Sequence, residues 1–575
     1  MSNQIHIIQN AITTTISEIF RGDFRRICEV KKAVLHLEAI YFCHGTCYLL
    51  KRENMPIKDQ LALYQRIELI PQSTTEFFEN NRECIINNWP EESALAAKPE
   101  ILYDALLASE FCVQPERVGY KIDKVSRDIA GAYYTSSDFS AQITYRALES
   151  YMDRKRRRAI DSDSFACCNE YENITFLDYS CGCGEFLLAV IQYFDNHVLG
   201  YSRKKLATQL RGVDVNPIAL MITIARIVSA VEAEDDENLL REVAKNFIVG
   251  NPLLHSDKIA PLEVRFDNFA LNRLYAETEG INCLELEQQN LVVLGNPPWE
   301  KLRFEERAFF RPVCPAISAI SQKNKREKEI KKLAANWLEL LEYYQLLQDD
   351  YAWVKKEIPK HPLLKVSLVG ELNTYAMFAE LASRLTEKGG FAAIIVKSAL
   401  VTSTCYSSCF RHFVNQRSLS EVFLFDNREK LFQIDSREKF CVLFFGGEHA
   451  GGIKVHYGLT KQEQILSSVP INVTSEELEL INPETGLLPN VADSKEFSFL
   501  LRTHRSLSVF AKEFPKCHFG RLLHLTAHAE HISTKSEKTR VPIYEGKFIE
   551  QYDNRFSTFA GMSADERYQA KASAR

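Results

Sequence analysis

The chain of 575 residues is 46% apolar and 25% charged, the balance of a globular protein too long for one ordinary core. A formal charge of -6 does not advertise a nucleic-acid binder, although the potential that counts is local. No apolar run approaches the roughly 20 residues of a membrane span, and the N-terminus lacks a basic start followed by an apolar core, so a cytoplasmic protein is expected.

Residues 1–125 carry apolar positions recurring at three and four, as in "QNAITTTISEIFRGDFRRICEVKKAVLHLEAIYF", which predicts a helical N-terminal domain. The fifteen cysteines are scattered and odd in number. Cys43 with Cys47 and Cys405 with Cys409 have no second pair placed to complete a zinc site, so buried reduced thiols are expected.

From 126 to 450 the texture changes to short apolar runs that end in Gly, Asp or Asn and alternate with helical stretches. Strands alternating with helices predict an α/β unit with a largely parallel sheet, whose ligands bind outside the carboxyl ends of the strands. Residues 451–575 read as a mixed extension. Two basic clusters, "DRKRRR" (Asp153 to Arg158) and "KNKREKEIKK" (Lys323 to Lys332), read as solvated helix faces or loops.

"LDYSCGCGEF" places Asp178, then Gly182 and Gly184, at a strand-to-helix turn where backbone can approach a ligand closely. The dinucleotide pattern of three glycines is absent, and Glu185 beside the turn would repel a pyrophosphate. A ligand bearing an ammonium group suits Asp178 better. Asp214 in "GVDVNP" ends a second short run, placed to accept ribose hydroxyls. A third, "FIVGNPLL", offers the Asn251 side chain to an adenine amino group.

The fourth run, "LVVLGNPPWEKL", stops in Asn296-Pro297-Pro298-Trp299. The exocyclic amine of adenine is a poor nucleophile, because its lone pair is delocalised into the ring. Acceptors placed at its two hydrogens return density to the nitrogen. The Asn296 side-chain oxygen is one acceptor, and the Pro297 carbonyl, aimed by the stiff di-proline, is the second. Trp299 offers a face for a base taken out of the helix.

Taken together, these segments resemble an adenine-specific N6 DNA methyltransferase of the gamma class, the type found in restriction-modification and phage-defence systems. "GAYYTSSDFSAQIT" resembles the segment that closes over the methionine end of S-adenosylmethionine, and "FDNREKLFQIDSREKFCVLFF" the late motif that supplies a second aromatic to the flipped base. The resemblance implies a Rossmann-like S-adenosylmethionine-dependent methyltransferase fold. It assigns Tyr134, Thr135, Asp178, Gly182 and Gly184 to the methionine end, Asp214 to the ribose and Asn251 to the cofactor adenine. Asn296, Pro297, Pro298 and Trp299 would serve the target base, with Phe432 as the second aromatic and no metal.

Asn251 stands where such relatives often carry aspartate, and Lys397 where proline is common. Relatives place a DNA-reading domain after the late motif. Here "IYEGKFIEQYDNRFSTF" resembles only its opening linker, so a truncated reader, or a separate specificity or restriction subunit, is expected as a partner beside double-stranded DNA. Two other readings stay open. The same Asn-Pro-Pro-aromatic turn serves enzymes that methylate RNA or protein glutamine, and the fold could be retained in a non-catalytic DNA- or partner-binding subunit.

Overall fold

The structure, a computed structural model, describes residues 2–122, 135–161, 171, 173–286, 290–446, 451–508 and 510–516, with short stretches beyond. It divides into two compact units, residues 1–506 and 507–575. In the second, the described residues include a short antiparallel pair, Ser557–Thr558 with Ser573–Ala574.

The larger unit begins with helices, among them α1 (Ile27–Leu49) and α2 (Pro99–Leu107), followed by a hairpin of Ser109–Gln114 with Arg117–Ile122. α1 is apolar almost all round and buried along most of its length, as expected of a helix surrounded by others. Its two buried histidines each make a local hydrogen bond, His36 with the Thr74 hydroxyl and His44 with the Gln60 amide oxygen, both at 3.0 Å. This confirms the helical character expected of the N-terminal region.

A nine-stranded sheet forms the centre. In chain order its strands are β1 (Thr175–Asp178), β2 (Leu210–Asp214), β3 (Phe247–Val249), β4 (Leu291–Gly295), β5 (Phe391–Lys397), β6 (Leu419–Asp426), β7 (Lys439–Phe445), β8 (Ile453–Leu459) and β9 (Ile471–Val473). Their spatial order is β9-β8-β6-β7-β5-β4-β1-β2-β3. β1 to β5 are mutually parallel, and β7 runs antiparallel between β5 and β6. This is the Rossmann-like methyltransferase architecture that the motifs predict. β4 is buried at all five positions and β5 at six of seven, because crossover helices cover both faces and the strands can be continuously apolar.

Helix α3 (Ser137–Asp161) precedes β1, α4 (Glu185–His197) follows it, and α5 (Pro217–Ala230) follows β2. α5 begins cleanly: the Asn216 side chain accepts from the Ile218 amide at 2.9 Å, with Pro217 at the first helical position. After β4 the chain makes a helical excursion that includes α6 (Lys323–Asn336), and returns in α7 (Thr374–Leu385).

Strand order reverses between β1 and β4: the chain runs outward through β2 and β3, then starts again on the other side of β1. Such a switch point opens a crevice at the carboxyl ends of the two strands. Asp178 ends β1 and Gly295 ends β4, so the acidic motif and the di-proline turn share one end of the sheet.

In the first basic cluster Arg156 and Arg157 are exposed, as expected of a solvated face, but Arg154 is structural. Arg154 turns inward and donates to the carbonyls of Gly389 at 2.6 Å and Gly390 at 2.9 Å, stacking over Tyr151 and Phe391. Cys43, Cys47 and Cys409 are buried as expected, whereas Cys405 is exposed. Among the described residues no helix is long and apolar enough to cross a membrane.

Candidate active site

The glycine turn after β1 is built by two left-handed residues, Gly182 (φ +50°) and Gly184 (φ +84°), the latter capping α4. Open space lies where a Cβ on Gly182 would project, so ligand atoms could approach this backbone closely. Behind the turn, Thr223 of α5 donates its hydroxyl to the Gly182 carbonyl at 2.6 Å. Arg226, one turn further along α5, lies 2.7 Å from Glu185 and 3.9 Å from Glu100 of α2. The Glu185 charge is therefore neutralised inside the protein, which weakens its expected repulsion of a pyrophosphate. The absence of the third glycine still argues against a dinucleotide loop.

Asp178 is buried, accepts the Ser180 amide at 3.0 Å and packs against the backbone of Gly295. A Cβ at Gly295 would stand 2.7 Å from its Oδ1, so only glycine fits there. Burial pushes the Asp178 carboxyl up to about 8, and the Asp214 carboxylate adds to the rise. A buried, neutral acid facing a crevice is suited to a cationic ligand, which would restore its charge.

Asp214 accepts from the amides of Gly182 and Asn216, both at 2.9 Å. Burial raises its carboxyl, and those amides oppose the rise. Asn216 in turn donates to the Tyr103 hydroxyl of α2 at 2.6 Å. The N-terminal helices thus brace the "GVDVNP" segment through Tyr103, a support that sequence reading missed because Tyr103 lies 113 residues away in the chain.

The Asn251 side chain makes bonds within its own loop. Its side-chain oxygen accepts from the Leu253 amide at 3.0 Å and its amide donates to the Leu274 carbonyl at 2.7 Å, so the side chain shapes its own loop. Any contact with an adenine would use the remaining lone pair of that oxygen. Tyr134 lies outside the described residues.

Thr135 is buried, but its partner is the Asn-Pro-Pro-Trp turn: the Asn296 amide donates to the Thr135 hydroxyl at 3.1 Å. This contact sets the orientation of the carboxamide, directing its oxygen away from Thr135. The turn is fastened from its other side by Thr374, the first residue of α7. The Thr374 hydroxyl donates to the Pro298 carbonyl at 2.6 Å and accepts the Glu300 amide at 2.9 Å, while its own amide donates to the Glu300 carbonyl at 2.9 Å. Among the described residues no donor reaches the Pro297 carbonyl. Nothing in the local sequence "GELNTYAMF" marks Thr374, which becomes visible only when α7 docks.

Trp299 is 4% exposed, and its indole N–H donates to the Ile395 carbonyl of β5 at 3.3 Å. Phe432 meets it edge-on with centroids 5.3 Å apart, and Phe440 lies nearly parallel at 6.2 Å. Phe432 is held by Asn427, which accepts its amide at 3.0 Å and donates to its carbonyl at 2.9 Å. The structure therefore brings the two expected stacking aromatics together, but in mutual contact. Apolar rings bury themselves against one another. A base stacking on Trp299 must part this cluster.

Next in the chain, burial pushes the Glu300 carboxyl up to about 7, while the Tyr275 hydroxyl, donating to it, opposes the rise. Lys397, at the end of β5, pairs with Glu438 at 3.3 Å, which gives its charge a partner. Among the described residues no group of three His, Cys, Asp or Glu could hold a metal.

No protein-family model matches the chain. No curated protein matches it either. Similar solved structures include a DrdV–DNA complex, at 13% identity and TM-score 0.40, with 79% of this chain and 43% of that chain covered. A modification subunit of a putative type I restriction enzyme from Vibrio vulnificus YJ016 matches at 12% identity and TM-score 0.36, covering 88% of this chain and 91% of that one. A putative class I S-adenosylmethionine-dependent methyltransferase from Listeria monocytogenes matches at 10% identity and TM-score 0.33, covering 81% and 97%. The chain thus spans less than half the length of the DrdV chain. Identities of this order leave function to be argued from the site itself.

Proposed function

We propose that the chain is an S-adenosylmethionine-dependent methyltransferase that modifies N6 of adenine in double-stranded DNA, as the modification component of a restriction-modification or phage-defence system. The observation that carries the reading is the convergence, at one switch point, of a buried acid on a left-handed glycine turn and a braced Asn-Pro-Pro-Trp turn.

The residues present fit the cofactor. Asp178 would take the ammonium group, Gly182 and Gly184 would leave room for the methionine end, and Asp214 would face the ribose, with Thr135 and Tyr134 closing over them. When bound, the cofactor supplies an electrophilic methyl group. The chain's part is to position the amine. Asn296 Oδ1 and the Pro297 carbonyl accept its two hydrogens and pull the nitrogen toward a nucleophilic geometry. Proton loss can follow transfer, so no ionisable base is required, and catalysis is mainly orientation within a stiff frame.

The deciding experiment incubates the protein with S-adenosylmethionine tritiated in its methyl group, in parallel with unmethylated duplex DNA, RNA and a glutamine-bearing protein substrate. Label recovered as N6-methyladenine is expected. Label in RNA or protein instead would overturn the reading.

The raised Asp178 carboxyl has a measurable consequence. Binding a cation favours the carboxylate, so binding should release a proton and cofactor affinity should climb from pH 6 towards pH 8, the pH near which Asp178 ionises in the free protein. The folded carboxyl lies above its unfolded value of roughly 4. Stability of the free protein should therefore fall over this range as pH rises toward about 8. Calorimetry in buffers of different ionisation enthalpy reads the proton release, and Asp178→Asn should flatten the affinity profile.

Thr374→Ala removes both hydroxyl contacts that fasten the turn. A roughly 10- to 100-fold fall in turnover is expected, with cofactor affinity little changed, because displacement of about 1 Å at a reacting group carries penalties of this size. Thr374→Ser keeps the hydroxyl and should recover most of the rate.

A further inference from the structure

The second basic cluster is not absorbed by the fold or by the site. α6 carries six basic and two acidic residues, a local charge of +4 in a chain of -6. Its inner face is fixed: Ile330 and Leu333 are buried, and Arg326 pairs with Glu306 and donates to the Ile320 carbonyl at 2.9 Å. On the outer face Lys332 pairs with Glu329 at 2.7 Å, and Lys323 approaches Glu327 at 3.8 Å. Lys325, Lys328 and Lys331 are exposed and, among the described residues, make no ion pair. Their spacing of three keeps them along one side of the helix, over a rise of about 9 Å.

The excursion that carries this helix is rooted at the catalytic turn. It leaves β4 through Trp299 and closes where Lys301 bridges Asn373, beside the Thr374 clasp on Pro298. A duplex that delivers a base to Asn296 must lie against this end of the sheet, and exposed positive charge on the excursion that leaves it can meet the phosphates of its strands. We infer that the Lys325–Lys328–Lys331 row is a contact surface for the phosphate backbone of duplex DNA presented to the Asn296 site. The inference rests on the reading of that site as a DNA methyltransferase.

A phosphate contact is sequence-independent, and each one steepens the salt dependence of binding by nearly one unit of log K against log salt concentration. The test compares the wild-type chain with Lys325→Gln/Lys328→Gln/Lys331→Gln, titrating duplex DNA of two unrelated sequences across a salt series. A control of equal charge change, Lys245→Gln/Lys388→Gln/Lys454→Gln, alters exposed lysines near the amino ends of β3, β5 and β8, opposite the site. In the first variant the salt slope should fall by about 2 to 3, and affinity at moderate salt should drop tenfold or more for both sequences, whereas the control should keep the wild-type slope. Thermal unfolding at the wild-type midpoint verifies that the fold is intact.

An unchanged slope in the first variant overturns the inference. An equal fall in the control overturns it too, because net charge would then explain the loss. If wild type also transfers label to duplex DNA, either result leaves the methyltransferase reading standing. Wild type that binds RNA and ignores duplex DNA would overturn both, and methyl label in RNA or protein alone would identify that as failure of the reading.

Discussion

Asn296→Ala is expected to abolish methyl transfer, a loss of at least about a thousandfold, while cofactor affinity stays close to wild type. The size follows from what is removed: a preorganised acceptor aimed at the reacting amine, of the kind whose loss costs roughly 100- to 1000-fold elsewhere, together with a target otherwise held only by the Pro297 carbonyl. Affinity should survive because the expected cofactor contacts on Asp178, Gly182 and Asp214 do not involve the Asn296 side chain, whose amide donates to Thr135. Single-turnover label transfer measures the rate, and equilibrium binding of labelled cofactor measures the affinity. Asn296→Asp separates acceptor from orientation, since it keeps an oxygen but loses the N–H that donates to Thr135. If Asn296→Ala retained most of the activity, the acceptor mechanism would be wrong.

Gly184→Ala should have the largest effect on stability. At φ +84° an alanine takes a left-handed conformation that costs about 1–2 kcal/mol. Its Cβ would also stand 2.8 Å from Thr223 Cγ2 and 3.2 Å from Thr223 Oγ1, so the buried threonine must move and disturb its bond to the Gly182 carbonyl. Overpacking of this kind adds about 1–3 kcal/mol, for a combined loss of roughly 2–5 kcal/mol. Cofactor affinity should fall at least tenfold, because the displaced bond shapes the glycine turn. Gly200→Ala isolates the strain, since Gly200 shares a positive φ but has nothing within 4 Å of the added methyl. Thr223→Ser, which lacks Cγ2 and keeps the hydroxyl, should restore part of the stability of Gly184→Ala. Denaturant midpoints read all four proteins.

Strand ends were legible because the chemistry of a crevice is written locally. An apolar run that halts in Asp-x-x-x-Gly-x-Gly or Asn-Pro-Pro-Trp announces a buried strand and a turn in the same dozen residues. Asp178, Gly182, Gly184, Asp214 and Asn296 could therefore be singled out one motif at a time, and the sheet places all of these motifs at strand ends. The parts that hold the motifs in place were illegible. Thr374 acts on Pro298 from 76 residues away, Tyr103 reaches Asn216 across 113, and Trp299 is pinned by a carbonyl 96 residues on. No periodicity encodes such pairs. Phe432 shows a mixed case: its motif was readable, but its contact with Trp299 depends on β7 entering antiparallel beside β5 and bringing Phe440 under the indole.

By itself the sequence determined the alternation of strands and helices, the side chains at the strand ends and their order along the chain, because each is set by residues within a turn or two of one another. Only the tertiary structure decided that Glu185 is neutralised by Arg226, that Asn251 bonds within its own loop, that Thr135 orients Asn296 and that the lysines of α6 face outward from an excursion rooted at the Asn-Pro-Pro-Trp turn. The physical reason is the same in each case. A side chain's donors and acceptors are fixed by its type, but which of them remain for a ligand depends on the partners that packing brings within 3 Å, and those come from elements dozens to hundreds of residues distant.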